Sequence, residues 1–525
     1  MQRWKVSHAA LRRKSIRVAC APVCQFGYGA MLDRRTRQRQ ASAMIDLRPV
    51  SHIIGLLVVV LGLLMLLPMA LDWQRGDANW RAFLESSIIT TSAGALIAMS
   101  TRSDISRGLA LRDSFLLTSG AWLVLPAFGT LPLLIGAPDI SFTDGYFEAM
   151  SGMTTTGTTA IPALDLLPWG ANLWRAMLQW LGGLGIIIVA LIFLPVMKVG
   201  GMQFFRSEGF DTLGKILPRA IDISNAMLRI YVGLTVLCAV VYVTAGMTPF
   251  DAILHSLTTI STGGFSNYDA SFGVYKGAPE VAATVFMILA SLPFIRFVQL
   301  TQGQVRPIWQ DVQVRAYLRW TAYAIAVIVI YRMARHEAAF WPTLREVSFN
   351  VVTIFSGTGY LSEDVTKWGH LAFVLLLVVG LIGGCTSSTA CSVKVFRYLI
   401  LFEAIKTQIK RLHSPHRILA VHYGGRPVEA DVVNSVIAFF SLFILSYGLL
   451  IVALSLTGLS AETAMTAAWT AIANVGPAWG QGISPSGAID QFPTAAKWLM
   501  IFGMYVGRLE LLSVYVLLLP RFWRA

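Results

Sequence analysis

The sequence predicts an all-α polytopic membrane protein, and three observations carry that prediction. Only 13% of the 525 residues are charged and 55% are hydrophobic, whereas soluble domains carry about 25% charged residues. Mean hydropathy is +0.63. The apolar residues are gathered into ten long blocks, each near the ~20 residues that cross a bilayer. A soluble enzyme is excluded on these grounds. The five cysteines (Cys20, Cys24, Cys238, Cys385, Cys391) are too scattered for a disulfide framework, and no CxxC pair is present to hold zinc.

In chain order, residues 1–43 form a basic leader with ten Lys/Arg against one acid, Asp33, so most of the net charge of +14 sits there. It contains no apolar run long enough for a signal-peptide core. It reads as a disordered, solvated segment or a misassigned start ahead of Met44; the competing role is a basic arm for nucleic acid or anionic lipid. Two spans, 52–71 and 83–100, occupy residues 44–105. Four further units follow. Residues 106–200 hold spans 112–136 and 172–196; residues 201–300 hold 226–246 and 279–298; residues 301–400 hold 316–334 and 370–392. After a basic linker, 401–430, the last unit (431–525) holds 431–457 and 495–519.

Lys and Arg in short loops set the orientation. Loops after the even-numbered spans, with the C-terminus, carry 21 of them; the opposite loops carry nine: Arg75, Arg81, Arg175, Lys276, Arg332, Arg335, Arg345, Lys367 and Lys497. Both termini are therefore expected in the cytoplasm.

Each of the four units has a half-apolar segment too short to cross, near 142–156, 249–262, 343–358 and 461–475. These end MTTTGTT (153–159), TISTGGF (259–265), FSGTGYL (355–361) and IANVGPA (472–478), each with a glycine after Thr or Val: Gly157, Gly263, Gly359 and Gly476. An acid stands 12 to 14 residues upstream in each: Asp144, Asp251, Glu346 and Glu462. Ser141-x-x-Asp144, Thr248-x-x-Asp251 and Thr343-x-x-Glu346 are capping-box patterns that start helices; Ser460-Ala-Glu462 is looser. A fourfold span–short helix–turn–span repeat follows. Non-helical backbone at membrane depth is tolerated only where protein buries it or a wet cavity adjoins it. Four such turns around one axis would offer backbone carbonyls to a cation, as potassium-selective filters do, with helix C-termini adding partial negative charge.

At these residues the sequence resembles the Trk/Ktr/HKT superfamily of potassium transporters, and the two extra N-terminal spans resemble its Trk branch. The motifs are AMSGMTTTG (149–157), TTISTGGFSNYD (258–269), GGCTSSTACSVKVFR (383–397) and ANVGP (473–477), and the resemblance covers residues 44–525. It implies four span–pore-helix–span repeats around a central pore. It implies K⁺ held by the carbonyls of Thr155, Thr156, Ser261, Thr262, Gly357, Thr358, Asn474 and Val475, before the four filter glycines. Gly157 favours K⁺, since plant relatives with serine there go with Na⁺. The third loop, SGTGY, has Gly357 where the family has a side chain, which is expected to loosen that quarter and make it the most tolerant of substitution.

Span 370–392 is interrupted by Gly383, Gly384, Cys385, Thr386, Ser387, Ser388, Thr389 and Ala390. Such residues suit tight helix packing; the resemblance implies instead a flexible gate obstructing the pore, with Lys394 placing it. Arg508 lies inside the last span, where a charge normally faces protein or a wet cavity. The resemblance points it into the pore as an electrostatic barrier; satisfaction by helix-end carbonyls is the alternative. Residues 403–426 are basic and hold His413, His416 and His422; their spacing is too irregular for a convincing metal site, and a solvated face is expected. The resemblance implies a cytoplasmic nucleotide-binding regulatory subunit docking there, a homodimer, and a bacterial inner-membrane location. No Walker A motif, strand-borne GxGxxG or nucleophile–base pair occurs, so neither enzyme activity nor nucleic-acid binding nor any cofactor is expected, only K⁺ as bound and transported ion. The alternative function is a secondary transporter with discontinuous helices, which would show two interrupted segments and ionisable groups at mid-membrane.

Overall fold

The computed structural model describes residues 46–102, 111–189, 220–336, 339–417 and 419–524. The leader 1–43, Arg107, the end of span 172–196, and Lys198, Arg206, Lys215 and Arg219 lie outside them. The chain divides into one large compact unit, Leu47–Leu519, and a small one made of its two ends; of the latter, Pro520–Arg524 is a short helix.

Within the large unit the described part of each predicted span falls wholly or partly on helix. Among the described residues, six helices are long and apolar enough to cross a membrane: Arg48–Arg75, Trp80–Ser100, Leu111–Ile135, Ser224–Thr244, Val312–Arg335 and Ala430–Leu456. Their outward faces carry exposed Leu56, Val60, Leu96, Val236, Val240, Ile330, Ile444 and Leu449, the pattern expected where lipid rather than water is the solvent. Two spans expected to be continuous are bent instead, Ala278–Ser291 into Phe294–Thr301 by 94° and Thr494–Arg508 into Leu512–Leu518 by 114°. Pro293 N-caps the second half of the first; it cannot donate to the preceding turn. In the second no proline is present, and the break falls at Glu510 and Leu511, both at positive φ. Trp169–Ile188 completes the first unit. In the third, the apolar helix stops at Gly380 (His370–Gly380) and resumes at Val395–His413, carrying the backbone well into the expected linker. There a two-residue hairpin also forms, His422–Tyr423 against Arg426–Pro427, turning at Gly424-Gly425.

The first two spans pack through small residues. A Cβ on Gly55 would lie 2.7 Å from Ala98 N, and one on Gly94 2.7 Å from Val59 N, so glycine is what lets the backbones approach.

The four short helices are Phe142–Met153, Pro249–Ile260, Phe340–Ser356 and Ala461–Ala473. Ser141 and Thr248 cap the first two as expected, accepting Asp144 N–H and Asp251 N–H at 3.2 Å. Ser460 caps the fourth, but its partner is Thr463, not Glu462. The third departs from expectation: it starts a turn earlier, at Phe340, with no side-chain cap. Thr343 is buried inside it, and Glu346 pairs with Arg332 at 3.1 Å. Each short helix packs between the helices of its own unit and also on the inner helix of the unit before. Pro249–Ile260 lies on Trp169–Ile188, and Phe340–Ser356 on Ala278–Ser291. Trp469 Nε1 donates to Leu377 O at 2.9 Å, and Phe142–Met153 closes the circle on Thr494–Arg508.

Candidate functional site

Each short helix hands over to a loop in which two alternate residues have positive φ. They are Thr155 (52°) and Gly157 (92°), Thr262 (52°) and Gly264 (78°), Gly357 (75°) and Gly359 (82°), and Asn474 (53°) and Gly476 (116°). The intervening residue donates its N–H five residues back, Thr156 to Ser151 and Gly263 to Thr258 at 2.9 Å, Thr358 to Thr353 at 2.8 Å, and Val475 to Thr470 at 3.3 Å. These bonds fix a register that corrects the sequence expectation in the second loop. The glycine equivalent to Gly157, Gly359 and Gly476 is Gly264. Gly263 takes the place of Thr156, Thr358 and Val475, and Ser261 falls back to the helix C-cap.

The ring closes through backbone. A Cβ on Gly157 would run into the Gly263 carbonyl, one on Gly264 into that of Thr358, and one on Gly359 into that of Val475. One on Gly476 would lie 2.9 Å from the Thr156 carbonyl oxygen. Loop one thus abuts two, two abuts three, three abuts four, and four abuts one, by the same atoms each time. Positive φ favours glycine at these positions; the neighbour's carbonyl adds a second demand for it. Thr155, Thr156, Thr262, Thr358, Asn474 and Val475 are all buried, and the ring side chains are neutral. Thr158 Oγ1 donates to Gly476 O at 2.6 Å and Asn474 Nδ2 to Thr156 Oγ1 at 2.8 Å, tying the last loop to the first.

Polar side chains brace these loops from behind. Nine residues before each register glycine stand Glu148, His255, Asn350 and Ala467. Glu148 accepts from Ala160 N at 2.9 Å and Arg175 Nε at 2.7 Å. His255 Nε2 lies 3.2 Å from Ser266 Oγ, and Asn350 Nδ2 donates to Ser362 Oγ at 2.9 Å. Arg175, expected from sequence to be a loop charge, is a buried residue of Trp169–Ile188. It also donates to Ser266 O at 2.9 Å, joining the returns of loops one and two. An arginine inside a predicted span was the signal for it. Gln179 Nε2 donates to Gly263 O at 2.7 Å while its Oε1 accepts Phe265 N–H at 3.0 Å. On the loop-facing surface, Lys276 pairs with Glu363 at 2.9 Å, and that carboxylate raises the pKa of the ammonium above its ordinary value.

The interruption at 381–394 is buried and heavily bonded. Cys385 N–H donates to Ser291 O at 2.9 Å, Thr386 N–H to Gln313 Oε1 at 2.9 Å, and Thr389 Oγ1 to Ile260 O at 3.0 Å. Gly383 N–H closes on Val393 O at 2.8 Å, Ser387 O accepts Phe294 N–H at 2.9 Å, and Val395 N–H reaches Gly384 O at 3.1 Å. Ser388 Oγ donates to Cys385 O at 2.6 Å. Lys394 caps the loop's exit by donating to Ala390 O. Arg508 ends the helix Thr494–Arg508 and is 5% exposed. Its Nη1 reaches Thr389 O at 3.4 Å and Cys391 Sγ at 2.9 Å. Among the described residues its Nε and Nη2 find no hydrogen-bond partner and it forms no ion pair. Glu510 pairs with Arg397 instead. A cavity of about 30 Å³ lined by Cys391, Lys394, Asn474 and Arg508 lies at this level, room for about two waters. Cys391, in contact with both Arg508 and loop one, was not among the expected gate residues. His413, His416 and His422 are exposed.

A single chain that closes four re-entrant loops into a ring, each behind its own short helix and between apolar helices, is a pore-loop membrane protein. The chain belongs to the TrkH family of cation transport proteins, whose profile matches residues 80–524. It is 38% identical over 479 residues (91% of this chain, 97% of the relative) to the Trk system potassium uptake protein TrkI of Halomonas elongata. To the Trk system potassium uptake protein TrkH of Escherichia coli K12 it is 33% identical over 485 residues, covering 91% and 99% of the two chains. The crystal structure of the potassium transporter TrkH from Vibrio parahaemolyticus superimposes with a TM-score of 0.84 at 33% identity, over 91% of this chain and 99% of that one.

Proposed function

We propose that this chain takes up K⁺ across a bacterial inner membrane as the membrane subunit of a Trk-type system. The observation that carries this is the closed cycle in which each register glycine meets the next loop's carbonyl, because a ring of backbone carbonyls can replace an ion's hydration shell. The carbonyls assigned to K⁺ are those of Thr155, Thr156, Thr262, Gly263, Gly357, Thr358, Asn474 and Val475; Ser261, expected from sequence, gives way to Gly263 with the register. The loop 383–389, held by Lys394, and the Arg508 guanidinium obstruct the path beneath the ring. Both termini face the cytoplasm, where the basic segment 403–426 receives a nucleotide-binding regulatory subunit, and the chain works as a homodimer in the bilayer.

The test is flux into proteoliposomes holding the purified protein, with K⁺, Rb⁺ or Na⁺ and with or without a proton gradient. K⁺ and Rb⁺ should enter in preference to Na⁺. Equal entry of K⁺ and Na⁺ would overturn the assignment.

A further inference from the structure

Of the four residues that open the ring loops at positive φ, three carry side chains, namely Thr155, Thr262 and Asn474, with φ of 52°, 52° and 53°. The fourth is Gly357, at 75°. The backbone of this register therefore accepts threonine, and something outside it selects glycine in loop three. The obstacle is Cys391. A Cβ on Gly357 would lie 2.9 Å from Cys391 Cβ and 3.2 Å from Cys391 N, and Cys391 N–H donates to the adjoining Ser356 O at 3.4 Å. From the same seat the Cys391 thiol lies 3.3 Å from Thr155 Oγ1 and accepts from Arg508 Nη1 at 2.9 Å.

We propose that Gly357 is a notch cut for the obstructing loop, and that Cys391 seated in it is the positioning residue that holds the loop and Arg508 against the underside of the ring. Gly357 then does not loosen its quarter of the ring; it transmits the position of the ring to the gate. A side chain there pushes the loop off its seat, and loss of the Cys391 side chain leaves the seat empty. Either change opens the path. The two changes together restore a close fit, since the volume removed at 391 makes room for the volume added at 357. This rests on the pore function proposed above.

The test is basal K⁺ flux, without regulatory subunit, through proteoliposomes holding the parent, Gly357→Thr, Cys391→Gly, the double variant and Cys391→Ser. Each of the first two single variants should raise basal flux, Gly357→Thr by about tenfold, while the double falls back toward the parent, the non-additivity expected of residues in contact. Cys391→Ser, close in size, should stay near the parent. Additive effects in the double, or parent-like flux in Gly357→Thr, overturn the proposal. Should Gly357→Thr not fold, its rescue by Cys391→Gly supports the seat, and failure of that rescue with parent-like flux in Cys391→Gly overturns it. A parent that does not prefer K⁺ to Na⁺ would instead remove the pore function itself, so the two failures are distinguishable.

Discussion

The register of the second loop makes two adjacent glycines behave differently, and Gly264→Ser against Gly263→Ser measures the difference. Gly264 sits at φ 78°, where a side chain costs about 1–2 kcal/mol. Its Cβ would also fall on the Thr358 carbonyl, and forcing an added atom into a packed site costs about 1–3 kcal/mol more. The ring can relieve that only by turning a carbonyl away. If about half of the combined strain falls on the geometry that separates K⁺ from Na⁺, the loss is ~1–2.5 kcal/mol, at least about tenfold in preference near the middle of that range. Gly263 has no positive φ, and what a Cβ there meets is the Gln179 side chain, which can swing aside by giving up its two hydrogen bonds to this loop, ~2 kcal/mol, about half of which would fall on ion preference. Its effect on preference should be a few-fold at most. The assay is the K⁺/Na⁺ permeability ratio from reversal potentials in liposomes, at matched protein insertion. A larger fall for Gly263→Ser than for Gly264→Ser would refute the register. Among the register glycines, Gly476→Ser should be the mildest, because its Cβ would lie 2.9 Å from the facing carbonyl oxygen, the longest of the four approaches, whereas Gly359, in the loop the sequence marked as tolerant, abuts Val475 more closely.

Arg508→Ala should raise cation conductance, because it removes a fixed charge with no paired carboxylate from a narrow passage; Arg508→Lys, measured in the same single-channel or flux assay, should stay close to the parent, and equal conductance in all three would remove the barrier role. Deleting residues 384–390 should raise basal flux with the K⁺/Na⁺ ratio little changed; altered selectivity at unchanged flux would contradict the assignment of this loop as an obstruction. Glu148→Gln leaves the buried Arg175 without its carboxylate, a loss of about 3–5 kcal/mol, so the thermal transition in detergent should fall by several degrees; an unmoved transition would show that this pair does not hold loops one and two.

The helices and the fourfold repeat were legible because lipid-facing segments are apolar over their whole length and because Ser141, Thr248 and Ser460 cap their helices locally. What the sequence obscured has physical reasons. The run Ser261-Thr-Gly-Gly264 offers two glycines, and a Thr-Gly rule takes the first, whereas the bond from Gly263 N–H to Thr258 O selects the second. The constant spacing of nine residues from Glu148, His255 and Asn350 to their glycines carries the right register, which the acids at 12 to 14 residues do not. Thr343 mimics a cap because its pattern is local, but packing extends that helix past it. The bend at Pro293 had a visible cause. That at Glu510 did not, since its partner Arg397 is 113 residues away in sequence. Nothing local links Cys391 to Gly357, and only the fold brings them together.

The contact that completes the ring, Asn474 to Thr156, joins residues 318 apart. A ribosome must therefore deliver nearly the whole chain before the fourth loop can reach the first. Until then three loops stand in an open arc, with no fourth carbonyl set to replace water around an ion. Long-range closures of this kind come late in folding. During synthesis, then, a partly inserted chain has no finished conduit, and the membrane is spared an ungated leak at the stage when Arg508 has yet to reach the obstructing loop.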